Sequence, residues 1–365
     1  MLVARLRVRE FRCYAAAEIE LGPGLTVIHG PNGAGKTNLL EALYFGCTAR
    51  SCRTSNEREM VRFGARATRV TVYGSDAEGE HELAVGFCPG EPKRITANGA
   101  PVERLLDIAH RPLVGVFLPD RLELVKGPPA LRRAHLDQLV AALWPLRAAT
   151  RRAYAQTLAQ RNALLARIRT GRAGVEALAA WDLELAGLGI SLRNDRAAAA
   201  ELLRLPFSRH TAALGLDGEA AVEYRPRTRA ESAAELAAEL LERTPTDLER
   251  GFSGHGPHRD ELRLSRGGRE LRAYGSQGEQ RLALLALLLA ERSVIADARS
   301  RVPLMLLDDV MSELDPDRRQ RLADTLCEGG QSVITTTDAS HVPGAEHVAQ
   351  VWVQAGTVLT EAVAS

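Results

Sequence analysis

Gly30-Pro31-Asn32-Gly33-Ala34-Gly35-Lys36-Thr37 spells G-x-x-x-x-G-K-[ST], and its surroundings decide how it is read. Before it stands an apolar, β-prone run, Leu25 to His29; after it comes a helix-forming run, Asn38 to Tyr44. A strand, a glycine-rich turn and a helix N-terminus in that order make a phosphate-binding loop. The glycines let successive backbone N–H groups converge on one anion, and the helix end adds its dipole. Lys36 then places an ammonium on the terminal phosphates, and the Thr37 hydroxyl is a ligand for Mg²⁺. The pattern therefore points to a bound nucleoside triphosphate with Mg²⁺. Lysine otherwise occurs only at Lys93 and Lys126 in an arginine-rich chain. A compact point charge, not a planar fork, is what such a loop requires.

A loop of this kind needs acidic groups beside it. Leu304-Met305-Leu306-Leu307-Asp308-Asp309 is an apolar strand ending in two carboxylates. In parallel α/β sheets ligands sit at that end of the strands. Asp308 is placed to hold Mg²⁺ through water, and Asp309 to polarise an attacking water. Lys36 and Asp309 are thus the candidate catalytic residues. Ser312 and Asp315 follow directly, with Pro316 opening a helix. Upstream, Tyr274-Gly275-Ser276-Gln277-Gly278-Glu279-Gln280 heads a long helical run. A small Ser/Gly loop at a helix N-terminus is an anion-binding device, and it is also an ordinary capping box with Ser276 and Glu279. Both readings apply to the same residues.

The 365 residues allow one large domain or two ordinary ones. The net charge of +1 provides no global field toward DNA or membrane, so such binding must come from a local patch. The opening residues alternate like a strand and do not read as a signal peptide, and the most apolar run, Leu282 to Ala290, is too short to span a bilayer. Five scattered cysteines without metal-ligand spacing fit a reducing cytoplasm. His255 and His258 flank Gly256-Pro257 and read as parts of a structural turn, not a metal site.

Texture divides the chain in three. Up to about Pro119 alternating strands dominate, with an Asn98-Gly99 hairpin signal. From about Ala130 to Arg250 the pattern is helical, interrupted by Leu205-Pro206 and by a short strand at Ala221–Tyr224. From Gly251 the α/β texture returns, with a hairpin at Glu261–Ser265 and Glu270–Ala273 around Gly267-Gly268. The expectation is an α/β P-loop head built from residues 1–125 plus 251–365, with a helical arm, 126–250, inserted between them.

Together, Walker A, an S-x-G loop, a strand–Asp–acid end and S-x-L-D resemble the ABC-type ATPase head. The version G-P-N-G-A-G-K-T-N-L-L-E-A, with Arg9-Glu10-Phe11-Arg12-Cys13-Tyr14 at the start, is similar to its SMC-like branch. Three more stretches resemble the RecF family. They are Leu124 to Pro129 with Arg132-Arg133 and Leu136-Asp137, then Gly256 to Asp260, then Leu306 to Asp315. The resemblance implies an ATP-dependent head-to-head homodimer in which the signature loop, Ser276 to Gln280, faces a partner's γ-phosphate in trans. Ser312 and Asp315 would form the D-loop, and Thr337 would occupy the switch position. It further implies a weak, DNA-dependent ATPase whose slow hydrolysis acts as a release switch. Such a protein binds duplex or gapped DNA and works with RecR, RecO and RecA in recombinational repair, replication restart and the SOS response. Its expected setting is cytoplasmic and nucleoid-associated. Against a transporter ATPase, the rival reading, stand the long insertion and Thr337 in place of a switch histidine. A long SMC tether would need heptads that are absent. A nucleotide-binding scaffold that never hydrolyses is a further alternative.

Basic residues crowd the stretch from Arg121 to Arg172, opposed mainly by Glu123 and Asp137. Lys126, Arg132, Arg133, Arg151 and Arg152 are the candidate DNA contacts there, and Arg50 and Arg53 form a second group. Few aromatics interleave, so duplex backbone contact is expected over base stacking.

Overall fold

Period-two patterning builds the first sheet. In β1 (Leu2–Phe11) Leu6 and Val8 are buried while Arg5, Arg7 and Arg9 face outward. It pairs antiparallel with β2 (Tyr14–Glu20) and with β4 (Thr68–Asp76), while the strand between them in sequence, β3 (Leu25–His29), belongs to the second sheet. β5 (Gly79–Phe87), β6 (Arg94–Ala97) and β7 (Ala100–Val102) complete the order β2-β1-β4-β5-β6-β7. The fold comes from a computed structural model and is described for residues 1–105 and 108–361.

The second sheet is mostly parallel, and its three central strands are buried along their whole length, as two-sided burial requires. Its order is β15-β14-β3-β13-β12-β8, with β8 (Val114–Phe117), β12 (Leu304–Asp308), β13 (Ser332–Thr336), β14 (Ala349–Gln354) and β15 (Thr357–Glu361). Only β15 runs antiparallel to its neighbour. Helix α1 (Lys36–Thr48) touches β4 and β5 of one sheet and β12 and β13 of the other. Its Leu39, Leu40, Leu43 and Phe45 are therefore all in the core. The register pairs Asp308 with Thr335 and Thr336 with His29, so β3, β12 and β13 end at one edge.

Residues 122–298 form a separate compact unit; residues 1–121 and 299–365 form the other. The expected boundary near residue 251 is not where the contacts divide. The reason is β9 (Ala220–Arg225), which pairs along its whole length with β10 (Glu261–Arg266), followed by β11 (Arg269–Glu270). A lone strand cannot satisfy its backbone, so the hairpin joins the arm. The helices here are α2 (Glu123–Lys126), α3 (Pro129–Leu143), α4 (Ala148–Arg169), α5 (Leu178–Ala213), α6 (Ala233–Arg250), α7 (Leu271–Tyr274) and α8 (Gln277–Arg299). Pro206 does not interrupt α5, which runs on for 36 residues. Buried Leu203 and Phe207 hold the helix on either side of the proline, and packing outweighs one lost hydrogen bond. Residues 271–274 are helical where a strand was expected.

Buried arginines tie the helices together. Arg161 of α4 is fully buried; its Nε donates to Asp182 of α5 (2.6 Å) and Nη1 to Asp247 of α6 (2.7 Å) and to Ser253 (2.7 Å). Arg196 of α5 grips Asp137 of α3 with two bonds, 2.7 and 3.0 Å, and donates to the Pro257 carbonyl. The Gly256–Asp260 turn is part of the same knot. His258 Nε2 donates to the Ser253 carbonyl (2.9 Å), which leaves Nδ1 to accept from the Tyr154 hydroxyl (2.8 Å). His255 is taken up by Glu239.

Two outcomes follow from this knot. Arg161→Ala leaves Asp182 and Asp247 buried without their partner, and urea unfolding should show a loss of about 3–5 kcal/mol. Burial pushes His258 down to about 4 from an ordinary 6.5. The unfolded chain takes up this proton first, so the group's contribution is full above pH 6.5 and is lost as pH falls toward 4. Between pH 7 and pH 5 it should remove about 2 kcal/mol, a slope that His258→Gln abolishes in the same unfolding measurement.

Candidate functional site

The loop between β3 and α1 adopts backbone angles that only glycine takes easily. Gly30, Gly33 and Gly35 have φ of 150°, 77° and 116°. A Cβ on Gly30 would lie 2.0 Å from the Val353 carbonyl oxygen, and one on Gly35 would lie 2.6 Å from the Tyr14 hydroxyl. At Gly33 nothing stands within 4 Å, which leaves an open backbone cradle. The exposed loop residues Pro31 and Asn32 flank it, and the Ala34 carbonyl accepts from the Gly356 N–H (3.0 Å) in the β14–β15 turn.

Lys36 is nearly buried, and its Nζ donates to the Gly30 (2.8 Å) and Pro31 (3.0 Å) carbonyls. Burial pushes its ammonium below the usual lysine range, while Asp309 and Asp308 pull it back up. Thr37 donates to both oxygens of Asp308, at 2.9 and 3.0 Å. Thr335, on the neighbouring strand, donates to the same carboxylate at 2.6 Å and accepts the Asp309 N–H at 3.0 Å. Burial raises Asp308 above the usual carboxylate range, and the two hydroxyls lower it. Asp309 sits at φ 47°, a left-handed position, with a buried Oδ1 that makes no hydrogen bond. A strained carboxylate with an orphaned oxygen beside a phosphate loop is poised to meet something other than protein. Thr37 and Asp308 form an all-oxygen donor pair, the chemistry that suits Mg²⁺.

Thr335 is the residue that the motif reading missed. It lies two positions before Thr337, and only the register of β12 against β13 singles it out. Thr337 follows the end of β13, and it is the Thr335 hydroxyl that meets Asp308. Ser312 donates to the Asp309 carbonyl (3.0 Å), and Asp315 caps α9 (Pro316–Glu328) by accepting the Arg318 N–H (2.9 Å).

The signature loop lies in the other compact unit. Ser276 and Glu279 form the reciprocal capping box, with Ser276 N–H to Glu279 at 3.0 Å and Glu279 N–H to Ser276 Oγ at 3.3 Å. Gln280 is buried and donates to the Leu271 and Gly275 carbonyls. Ser276, Gln277 and Gly278 are exposed, and the space above Gly278 is open.

Among the expected DNA contacts, Arg132 requires correction. It is buried, its guanidinium bonds Glu261 twice and three carbonyls of residues 124–127, and it is a structural tie. Arg133 is half-buried on the Asp260 carbonyl. Arg53 is exposed but reaches Asn38 and Glu41 of α1. Arg50, Lys126, Arg151 and Arg152 are exposed, Lys126 paired with Glu123 and Arg151 with Asp137.

A phosphate loop on a parallel sheet, an Asp-Asp strand end beside it and an antiparallel sheet against the same helix define an SMC-like, ABC-type P-loop ATPase head. The AAA domain family matches residues 5–87. A solved structure of the recombination mediator protein RecF with ATP, in the RecFOR pathway, superimposes with a TM-score of 0.87 at 29% identity, over 99% of this chain and 98% of that one. An SMC head bound to the C-terminal winged-helix domain of ScpA shares the fold at 18% identity, with a TM-score of 0.62 over 100% and 98%. The DNA replication and repair protein RecF of Kineococcus radiotolerans is 35% identical over 388 residues, 98% of this chain and 99% of its own. The chain belongs to the RecF family.

The loop geometry separates two glycines. Gly30→Ala drives a methyl into β14 backbone and should cost at least about 3 kcal/mol, whereas Gly33→Ala has room and should cost only about 1–2 kcal/mol of backbone strain. Urea midpoints of the two variants check the order.

Proposed function

We propose that this protein is an ATP-gated DNA-binding recombination mediator. The observation that carries the reading is the Thr37–Asp308–Thr335 cluster, which sets a divalent-ion donor pair beside a glycine cradle and its lysine. The loop N–H groups and Lys36 bind the phosphates, and Thr37 and Asp308 are the residues that would hold Mg²⁺. A bound ion would supply positive charge against the phosphates there. Asp309 orients and polarises the attacking water with its unpartnered oxygen. Asp is shorter than the Glu of transporter heads, which fits slow turnover.

In this reading the site is half of a pair. The exposed Ser276–Gly278 loop of a second copy meets the γ-phosphate that Lys36 holds. ATP then lies inside the interface and stabilises the dimer by mass action, and its hydrolysis releases the two copies. The ATP-loaded dimer binds duplex or gapped DNA through exposed cations such as Arg50, Arg151 and Arg152, and acts with RecR, RecO and RecA. The RecF family relationship and the ATP-bound relative support this reading over a transporter subunit. Among the described residues no helix is long and apolar enough to cross a membrane.

Fluorescence anisotropy on gapped duplex tests it. Wild type should bind at least about tenfold more tightly with Mg-ATP than without, and Lys36→Met should lose that difference. Equal binding in both conditions would contradict the gating. Asp309→Asn should retain ATP-dependent binding while phosphate release falls by about a hundredfold or more, the size of effect typical of a lost general base.

A further inference from the structure

Several arginines of the second unit are buried against carboxylates; three exposed ones are not. Arg227, Arg250 and Arg259 converge on one pocket of about 400 Å³, together with Phe252 and Gly254. Among the described residues no acidic side chain lines it. Among the described residues none of the three guanidiniums makes an ion pair or a side-chain hydrogen bond, while the buried Arg161, Arg132 and Arg196 each bond a carboxylate. Like charges gathered without a counter-ion repel one another, so the arrangement has a cost that an anionic ligand would offset.

The pocket is also preorganised. The Arg227 N–H bonds the buried Asp260 carboxylate at 2.7 Å, and Arg259 closes a turn onto the Gly256 carbonyl at 2.9 Å. Phe252 stands between Gly251, whose N–H caps α6 on the Asp247 carbonyl at 2.8 Å, and Ser253, whose N–H bonds Asn162 at 2.8 Å. The Gly254 N–H bonds Asp247 at 2.9 Å. The backbone that carries each lining residue is thus anchored in the Arg161–His258 knot, while the side chains face solvent. The Phe252 ring is 41% exposed, with the Arg259 guanidinium 5.4 Å from its centroid. An exposed aromatic among unpaired arginines differs from a purely basic stripe. The guanidiniums match phosphate oxygens, and the ring presents a face on which any base stacks. A duplex keeps its bases stacked inside, so only unpaired nucleotides use both parts.

We propose that Arg227, Arg250, Phe252 and Arg259 form a binding site for single-stranded nucleic acid, with the three arginines on consecutive phosphates and one base stacked on Phe252. The site rests on the DNA-binding reading above and deepens it: it would take the unpaired stretch of a gapped molecule.

The test uses the full chain with Mg-ATP, a short labelled oligo-dT and a blunt duplex of equal length, read by anisotropy across a salt series. The triple variant Arg227→Ala/Arg250→Ala/Arg259→Ala should bind oligo-dT at least about tenfold more weakly and flatten the log–log salt slope by about 2. Phe252→Leu should weaken oligo-dT binding by about fivefold or more and leave the duplex unchanged, and Phe252→Trp should keep wild-type affinity. A folded triple variant with unchanged oligo-dT affinity overturns the site, and so does Phe252→Leu that binds oligo-dT like wild type. If wild type binds duplex but not oligo-dT, the pocket fails and the DNA-binding reading stands. If it binds neither probe, the broader reading fails and the site with it.

Discussion

Asp308 is a carboxylate withdrawn from water at the end of an apolar strand, and the nucleotide half of the molecule is arranged around keeping it satisfied. Two hydroxyls do so, Thr37 from the first turn of α1 and Thr335 from β13. Each comes from a different element, so the pairing fixes the helix against both strands. A buried carboxylate that lost these bonds would carry an uncompensated desolvation cost of several kcal/mol. The same hydroxyls keep Asp308 available as an oxygen donor. Lys36 sees the opposite balance: burial lowers its pKa, and the two aspartates beside it raise it. The site is a small set of mutually dependent charges, and no member is set independently.

The second unit uses charge differently. Its long helices are joined by arginines whose every strong contact is internal, as with Arg161 between Asp182 and Asp247. A linear count of basic residues therefore overstates the surface offered to DNA. Arg132 and Arg161 belong to the scaffold. The cations that remain at the surface, and the unpaired trio around Phe252, are those that an external polyanion would meet.

The phosphate loop, the strand that ends in Asp308-Asp309 and the Ser276–Glu279 cap were legible because each is a local pattern with a local cause. Glycine spacing sets the loop, an apolar run sets the strand, and Ser-x-x-Glu sets the cap. What escaped depends on elements far apart in the chain. Thr335 matters only through strand register, and no feature of its neighbours marks it. The hairpin after Gly251 joined the arm because β9 needed a partner, a requirement that composition cannot express. Proline usually breaks a helix, but at Pro206 buried Leu203 and Phe207 keep α5 continuous. The basic stretch misled in part because sequence shows a charge and not its partner.

The central claim is that one nucleotide site is built from two copies. Mixing Lys36→Met protein with Ser276→Arg protein tests this most directly, because each is predicted to be inactive alone while the mixed dimer keeps one intact site. The account predicts that ATP-dependent phosphate release reappears on mixing and rises with the fraction of mixed dimers. Mixtures that remain as inactive as either variant alone, while ATP-dependent dimers form, would contradict it.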